Sequence, residues 1–212
     1  ALWIDVDGVP KKFGDVMDDY QRTDFAQLDP AMKRCNGRSS ESVAKMRAYL
    51  ERPRGHSKTT DIAVVCVWAL AFANRPLRGY CYAADGDQAK LLKDAIQTLV
   101  RLNPWLSSIL DVKANLVQNL AKGHPGQGGT LTIETSDVGS SYGIIPDIIV
   151  ADELTNWEGE GSLWYSLVSS GGKRSNCLLL AISNAGFVDS WAWSAREKVR
   201  EDEDWIFSRL DG

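Results

Sequence analysis

Two short segments of this sequence combine the residue types that nucleotide hydrolysis requires. Residues 54–60 read Arg-Gly-His-Ser-Lys-Thr-Thr and run directly into an apolar stretch from Ile62 to Ala73. Residues 147–153 read Asp-Ile-Ile-Val-Ala-Asp-Glu, an apolar run that ends in two carboxylates. Phosphoryl transfer needs backbone amides and a lysine for the phosphates, a hydroxyl and a carboxylate for Mg²⁺, and a second carboxylate for the attacking water. Together the segments predict an ATP-hydrolysing protein.

The basic segment predicts a phosphate-binding loop between a strand and a helix. Its nucleotide-binding residues would be Arg54, Gly55, His56, Ser57, Lys58, Thr59 and Thr60. The usual pattern, Gly-x-x-x-x-Gly-Lys-Ser/Thr, has glycine where this chain has Arg52 and Ser57. A left-handed backbone at Ser57 would cost only about 1–2 kcal/mol, so the loop is still compatible with an anion site at a helix N-terminus. The alternative is a basic turn that merely opens a helix.

The paired carboxylates follow a run of β-branched residues that is typical of a buried parallel strand. Ligands of open α/β sheets bind at the carboxyl ends of such strands. Asp152 is therefore predicted to act on Mg²⁺ together with Thr59, and Glu153 is predicted to polarise the attacking water as the catalytic base. The alternative is an ordinary acidic turn at a strand end.

A third apolar run, Leu-Leu-Leu-Ala-Ile over residues 178–182, ends in small polar groups. Ser183 and Asn184 would lie at the same sheet edge, where they would sense whether the γ-phosphate is present. A simple turn is the competing interpretation.

These motifs lie on elements that alternate along the chain. Strands are predicted over residues 46–51, 78–85, 112–117, 131–135, 148–151, 178–182 and 205–210. Helices are predicted over residues 16–20, 25–33, 58–73, 88–102, 164–169 and 190–200. The alternation indicates an α/β fold with a mainly parallel sheet flanked by helices. We expect a single domain over 1–212, with an N-terminal extension (1–45) and a core (46–212) that carries the phosphate loop.

Composition narrows the function classes. The net charge of −4 excludes a chain that is basic throughout, so any DNA contact would use a local patch. Two histidines leave little basis for a histidine-based metal site, and four scattered cysteines without a Cys-x-x-Cys pair indicate a reduced, intracellular protein. No apolar run approaches the roughly 18 residues that span a bilayer.

Residues 15–200 resemble the ATPase domain of the large terminase subunits of tailed bacteriophages. In Pro53-Arg54-Gly-His-Ser-Lys58-Thr59 an arginine precedes the lysine by four residues, as in the terminase form of the phosphate loop. The strand that ends in Asp152-Glu153 is similar to the second terminase motif, and Ile182-Ser-Asn-Ala-Gly186 is similar to the coupling motif. Asp19-Tyr-Gln21-Arg resembles the glutamine motif that recognises adenine, which implies that Gln21 contacts the base.

The resemblance implies a RecA-like P-loop NTPase of the ASCE class, which uses ATP and Mg²⁺ to drive double-stranded DNA into a procapsid. It implies a ring on the procapsid that works with the portal protein and the small terminase subunit in the host cytoplasm, a monomer in isolation, and no membrane partner. It also places Arg54 on the phosphates of its own or a neighbouring site, where it would assist catalysis.

Some expected parts are missing from the sequence pattern. The stretch Ser140-Ser-Tyr-Gly143 has no arginine where many relatives carry one, so a trans-acting arginine finger is unassigned. The acidic run 201–204 is interpreted as a solvated cap, so no C-terminal nuclease domain or DNA cleavage is expected from this chain. Two alternatives stay open: a helicase-like DNA-dependent ATPase, and an assembly domain whose altered loop no longer binds nucleotide.

Overall fold

An eight-stranded sheet with helices on both faces forms the centre of the molecule in the computed structural model, which describes residues 1–42, 45–136 and 143–211. The strands are β1 Trp3–Val6, β2 Val9–Lys12, β3 Arg47–Glu51, β4 Arg78–Ala83, β5 Leu110–Val112, β6 Leu116–Asn119, β7 Thr130–Thr135, β8 Ile148–Asp152, β9 Leu178–Ser183 and β10 Trp205–Arg209. The helices are α1 Phe13–Val16, α2 Asp19–Cys35, α3 Lys58–Ala71, α4 Gly86–Leu102, α5 Pro104–Ser107, α6 Ser162–Gly171 and α7 Trp191–Glu201. A 3₁₀ turn, Leu154–Asn156, follows β8.

The strand order of the large sheet is β10-β3-β9-β8-β4-β7-β6-β5. Neighbours from β10 to β7 pair in parallel, and β6 and β5 pair antiparallel at one edge. The order inserts β9 between β3 and β8, so the ends of these three strands share one edge. The predicted α/β fold with a mainly parallel sheet is confirmed.

Alternating residues of the central strands feed two separate cores, as the two-residue period of a strand requires. On β8, Ile148 and Val150 face the core that is covered by α2, α3 and α4. Ile149 and Ala151 face the opposite core, under α6 and α7. Helix α3 is buried around most of its circumference, which explains its nearly continuous apolar sequence.

The N-terminal region differs from the prediction of two short helices over 16–20 and 25–33. One helix, α2, runs through both and continues past Pro30 to Cys35. It starts with a capping box between Asp18 and Gln21, which satisfies free N–H groups of the first turn. Ahead of α2, β1 and β2 form a two-stranded hairpin outside the main sheet, which was not predicted.

The predicted strand over 112–117 is wrong in the same way. Val112 and Val117 belong to different strands and lie opposite each other across the β5–β6 hairpin. The turn between them is short, and the apolar residues on its two sides look like one alternating strand when only the sequence is considered.

The cysteines are buried and free, as the sequence indicated for Cys66, Cys81 and Cys177. Within the described ranges, no helix combines the length and the apolar composition that crossing a bilayer would need.

Candidate active site

The phosphate loop leaves β3 at Glu51 and enters α3 at Lys58. Two residues of the loop have positive φ angles, Gly55 at 83° and Ser57 at 51°. Ser57 therefore adopts the left-handed conformation that glycine normally supplies, at a cost of about 1–2 kcal/mol. The substitution of serine for the usual glycine leaves the turn intact, so α3 begins directly behind the loop.

The ammonium group of Lys58 points back into the loop and towards β8. Its Nζ donates hydrogen bonds to the carbonyl oxygens of Arg52 and Pro53, at 3.2 and 3.1 Å. The same nitrogen lies 3.1 Å from Glu153 Oε1. Lys58 is only 7% exposed, so this cation is held by oxygen ligands in a largely dry environment.

Asp152 and Glu153 lie at the end of β8 in very different surroundings. Asp152 is 1% exposed, and in the described part of the chain its Oδ1 has no hydrogen-bond partner. Burial, and then the neighbouring charge of Glu153, raise the pKa of Asp152 to about 7, while Lys58 partly opposes the shift. An unpaired buried carboxylate oxygen is costly unless a ligand completes it.

Glu153 is aimed by an uncommon backbone conformation. Its φ is 51°, a left-handed value that is rare for glutamate and typical of residues held at functional sites. The Glu153 N–H donates to the carbonyl oxygen of Ile182 on β9 at 2.9 Å, which ties the turn to the adjacent strand.

The polar end of β9 contacts Glu153 as well. Asn184 Nδ2 donates to Glu153 Oε2 at 3.2 Å. The hydroxyl of Ser183 donates to Thr155 Oγ1 at 3.2 Å instead of pointing at the phosphate loop. Glu153 is thus held between Lys58 on one side and Asn184 on the other.

A cavity of about 640 Å³ opens above these groups. Its lining consists of Arg54, Gly55, His56, Ser57, Lys58, Thr59, Thr60, Gln88, Glu153 and Asn156. All seven predicted loop residues therefore face one cavity together with the predicted base. Gln88 and Asn156 were missed, because a polar residue in a first helical turn and one in a 3₁₀ turn carry no distinguishing sequence signal.

Arg54 is exposed at the mouth of this cavity. His56 lies beside it, with its ring 6.0 Å from that of Tyr20 in an edge contact. A long, exposed cation at the rim has the reach to meet an anion in the cavity.

Gln21 lies outside the cavity lining, in a buried network beneath the loop. Its Nε2 donates to Asp61 Oδ1 at 2.8 Å, and its Oε1 accepts from the Asp18 N–H at 2.9 Å. Both ends of the amide are thus engaged by protein groups. The role of Gln21 in recognising adenine stays a prediction.

Arg52 is the centre of this network. It is 1% exposed and forms ion pairs with Asp24 of α2 and Asp61 of α3. Its guanidinium also lies 4.9 Å from the centre of the Tyr20 ring. The sequence signal for these residues was Asp61 itself, a charge at the start of an otherwise apolar helix.

The donor set fits a magnesium ion. Mg²⁺ usually takes one or two protein oxygens and fills its other positions with water and phosphate. The free oxygen of buried Asp152 and the hydroxyl of Thr59 are ligands of this type. In the described residues no group of three or more His, Cys, Asp or Glu side chains forms a metal site of its own.

The candidates considered for an arginine finger lie elsewhere. Lys173 and Arg174 precede β9, at the sheet edge opposite the cavity, where Lys173 bonds to the Ile144 carbonyl and Arg174 pairs with Asp147. Arg101 lies near the end of α4. Residues 140–142, in the stretch noted for its lack of arginine, are outside the described residues.

Sequence comparison identifies the family. The family model for "Terminase large subunit, ATPase domain" matches residues 35–197, most of the chain. The chain belongs to this terminase family. No curated protein sequence matches it.

Solved terminase structures share the fold. The HK97 bacteriophage large terminase has a TM-score of 0.74 at 18% identity, over 99% of this chain and 42% of that one. The Thermus phage P74-26 large terminase ATPase domain has a TM-score of 0.59 at 17% identity, over 87% and 83%. The large terminase of a thermophilic bacteriophage in complex with ADP has a TM-score of 0.57 at 14% identity, over 85% and 44%.

These identities are low, so the solved structures support the fold: a RecA-like α/β terminase ATPase domain. This chain spans less than half of the HK97 large terminase and of the terminase that was solved with ADP. The predicted resemblance to the terminase ATPase domain is confirmed.

Proposed function

We propose that this terminase domain is a Mg²⁺-dependent ATPase that powers the translocation of double-stranded DNA into a procapsid. One observation carries the proposal: Lys58, Glu153 and Asn184, from three separate strand ends, meet beside the buried free oxygen of Asp152. A lysine, a base, an amide donor and a metal ligand at one cavity are the parts that phosphoryl transfer needs.

Binding of the triphosphate is assigned to the phosphate loop. The amides of residues 54–60 and the N-terminus of α3 favour an anion. Lys58 exchanges its contacts with the loop carbonyls and Glu153 for contacts with phosphate oxygens. Arg54, at the rim, adds a second positive charge. Thr59 and Asp152 hold Mg²⁺, which when bound neutralises phosphate charge and aligns the phosphates.

Hydrolysis is assigned to Glu153. Once phosphate oxygens take over Lys58, the Glu153 carboxylate is free to accept a proton from the attacking water. Asn184 keeps the carboxylate oriented, and with Ser183 it reports the presence of the γ-phosphate to β9. Gln21 contacts adenine in this scheme only by giving up one of its bonds within the network beneath the loop.

The wider role follows from the family. Terminases and packaging ATPases among the structural neighbours include the N-terminal domain of the phi29 DNA packaging ATPase, with a TM-score of 0.57 at 16% identity. We assign this domain to a homo-oligomeric ring on the procapsid in the host cytoplasm, with portal protein, small terminase subunit and duplex DNA as partners and no membrane partner. The isolated domain is a monomer without nuclease activity in this proposal.

Calorimetric titration with Mg-ATP tests the catalytic part. Wild-type protein should bind in the micromolar to millimolar range, and Lys58→Ala should weaken binding by at least about tenfold, since a charge-assisted contact is lost. Lys113→Ala, an exposed lysine away from the cavity, is the matched control. Lack of wild-type binding at millimolar Mg-ATP would exclude the ATPase and leave the assembly-domain alternative.

Translocation is tested separately in the full-length protein. Procapsids supplied with Glu153→Gln terminase should protect no DNA from added nuclease, while binding of the terminase to procapsids persists. Normal DNA protection by that variant would contradict a motor that is driven by this site.

A further inference from the structure

Thr155 connects two motifs of the site, although the proposed function gives it no role. It lies in the 3₁₀ turn directly after Glu153 and contacts both polar residues at the end of β9. The Thr155 N–H donates to Ser183 Oγ at 3.1 Å, and the Ser183 hydroxyl donates to Thr155 Oγ1 at 3.2 Å. The Thr155 hydroxyl in turn donates to Asn184 Oδ1.

The direction of these bonds matters. A hydroxyl carries one proton, so Ser183, which accepts from the backbone, uses its proton on Thr155. Thr155 then has one proton left to give, and it goes to the carbonyl oxygen of the Asn184 amide. The amide nitrogen of Asn184 is left facing the Glu153 carboxylate, to which it donates at 3.2 Å.

We propose that Thr155 is a positioning residue for ATP hydrolysis: its hydroxyl anchors the Asn184 amide, which holds the Glu153 carboxylate. The inference rests on the proposed function, because Glu153 must be the base. Without the hydroxyl, Asn184 Oδ1 loses its donor, the amide turns more freely, and Glu153 keeps only Lys58. That lysine is the contact that a bound triphosphate takes away.

The methyl group of Thr155 has a different neighbour, which makes the two halves of the side chain separable. Gly186 has a φ of 72°, and a Cβ at that position would lie 2.6 Å from Thr155 Cγ2. The methyl group therefore packs against the backbone of the loop after β9. Thr155→Val keeps this packing and removes the hydroxyl, whereas Thr155→Ser keeps the hydroxyl and removes the methyl group.

The first readout uses protein without nucleotide. In ¹⁵N NMR of the whole chain, the side-chain amide protons of Asn184 should exchange slowly in wild type and Thr155→Ser. In Thr155→Val they should exchange about tenfold faster, the factor that one hydrogen bond of about 1.4 kcal/mol represents. Equal exchange in all three proteins would overturn the anchor.

The second readout is the steady-state ATPase. Thr155→Val should lower kcat about tenfold while KM for ATP changes less than about twofold, because only the positioning of the base is lost. Thr155→Ser should keep kcat within about threefold of wild type. If Thr155→Val does not fold, Thr155→Ala, which also lacks the hydroxyl, should show the same drop.

The outcomes separate this inference from the proposed function. A Thr155→Val variant with wild-type kcat, or a Thr155→Ser variant as slow as Thr155→Val, would overturn the role of the hydroxyl while the ATPase stands. Failure of wild type to bind Mg-ATP would overturn the ATPase itself, and the role of Thr155 in catalysis with it.

Discussion

Lys58 of the phosphate loop and Glu153 of the β8 end form an ion pair, with Nζ 3.1 Å from Oε1, and both side chains are largely buried. The cation that should hold phosphate and the carboxylate that should activate water thus neutralise each other in the protein without nucleotide. Nucleotide binding must therefore break this pair before either group can act on the triphosphate.

Glu153→Gln should separate binding from hydrolysis. Loss of the base should lower the hydrolysis rate by about 10²–10⁴-fold. Nucleotide affinity should hold or rise, because Lys58 no longer has a competing carboxylate. Single-turnover hydrolysis and calorimetry measure the two effects. Glu158→Gln, an exposed neighbour, serves as the control; weaker ATP binding by Glu153→Gln would contradict this account of the ion pair.

Asp152→Asn should stabilise the protein without nucleotide at alkaline pH. The pKa of Asp152 is raised to about 7 in the folded state, mainly by burial. The folded state therefore favours the protonated form, and its stabilising effect, complete below the ordinary pKa near 3.8, is lost as pH rises to 7. The amide mimics the protonated acid, so the gain in unfolding free energy should reach the order of 2–4 kcal/mol at pH 8.

Urea unfolding of wild type and Asp152→Asn at pH 6 and pH 8 checks this prediction. The difference between the two proteins should be larger at pH 8, where wild-type Asp152 is charged. Asp204→Asn, at an exposed position, should show no such trend. A difference that does not change with pH would refute the assigned cause.

Protons and Mg²⁺ should compete for the Asp152 carboxylate. A metal ligand must lose its proton first, so the Mg²⁺ concentration for half-maximal ATPase should rise as pH falls below about 7, towards tenfold per pH unit. Mg²⁺ titrations of ATPase activity at pH 6, 7 and 8 measure the shift, and chelation by EDTA should abolish activity. An unchanged Mg²⁺ requirement over this range would exclude Asp152 as the titrating ligand.

Restoring the usual glycines of the phosphate loop should have opposite effects at its two ends. Ser57→Gly relieves about 1–2 kcal/mol of left-handed strain and costs about 0.4–1 kcal/mol through the unfolded chain, so it should be neutral or mildly stabilising. Arg52→Gly leaves two buried carboxylates, Asp24 and Asp61, without their cation and should destabilise by about 3–5 kcal/mol. Urea unfolding of each single variant decides; a stable Arg52→Gly protein would contradict the role of the buried network.

Much of the fold was predictable because its signals are local. The core strands β8 and β9 are short apolar runs, and α3 follows a basic turn, so their positions were found to within a few residues. Errors arose where local patterns had two solutions. Val112 and Val117 fit one strand as well as they fit two sides of a hairpin, and only pairing with β7 chooses between them.

The types of the catalytic groups were likewise readable from short motifs. Lys58, Asp152, Glu153, Ser183 and Asn184 each stand at the end of a recognisable element, and their chemistry follows from residue type. The network of Arg52 was not predictable, because a buried arginine needs two carboxylates that lie 28 residues before it and 9 residues after it. No local pattern marks such partners.

The amino-acid sequence by itself determined which elements form and which reactive groups end them, because hydrophobic period and helix or strand termini depend on near neighbours. Only the tertiary structure decided that β9 lies between β3 and β8. That order brings Asn184 against Glu153, turns Lys58 towards the same carboxylate and gives Thr155 its partners. These contacts depend on pairing between distant strands, whose free energy is set by the whole sheet and its two cores.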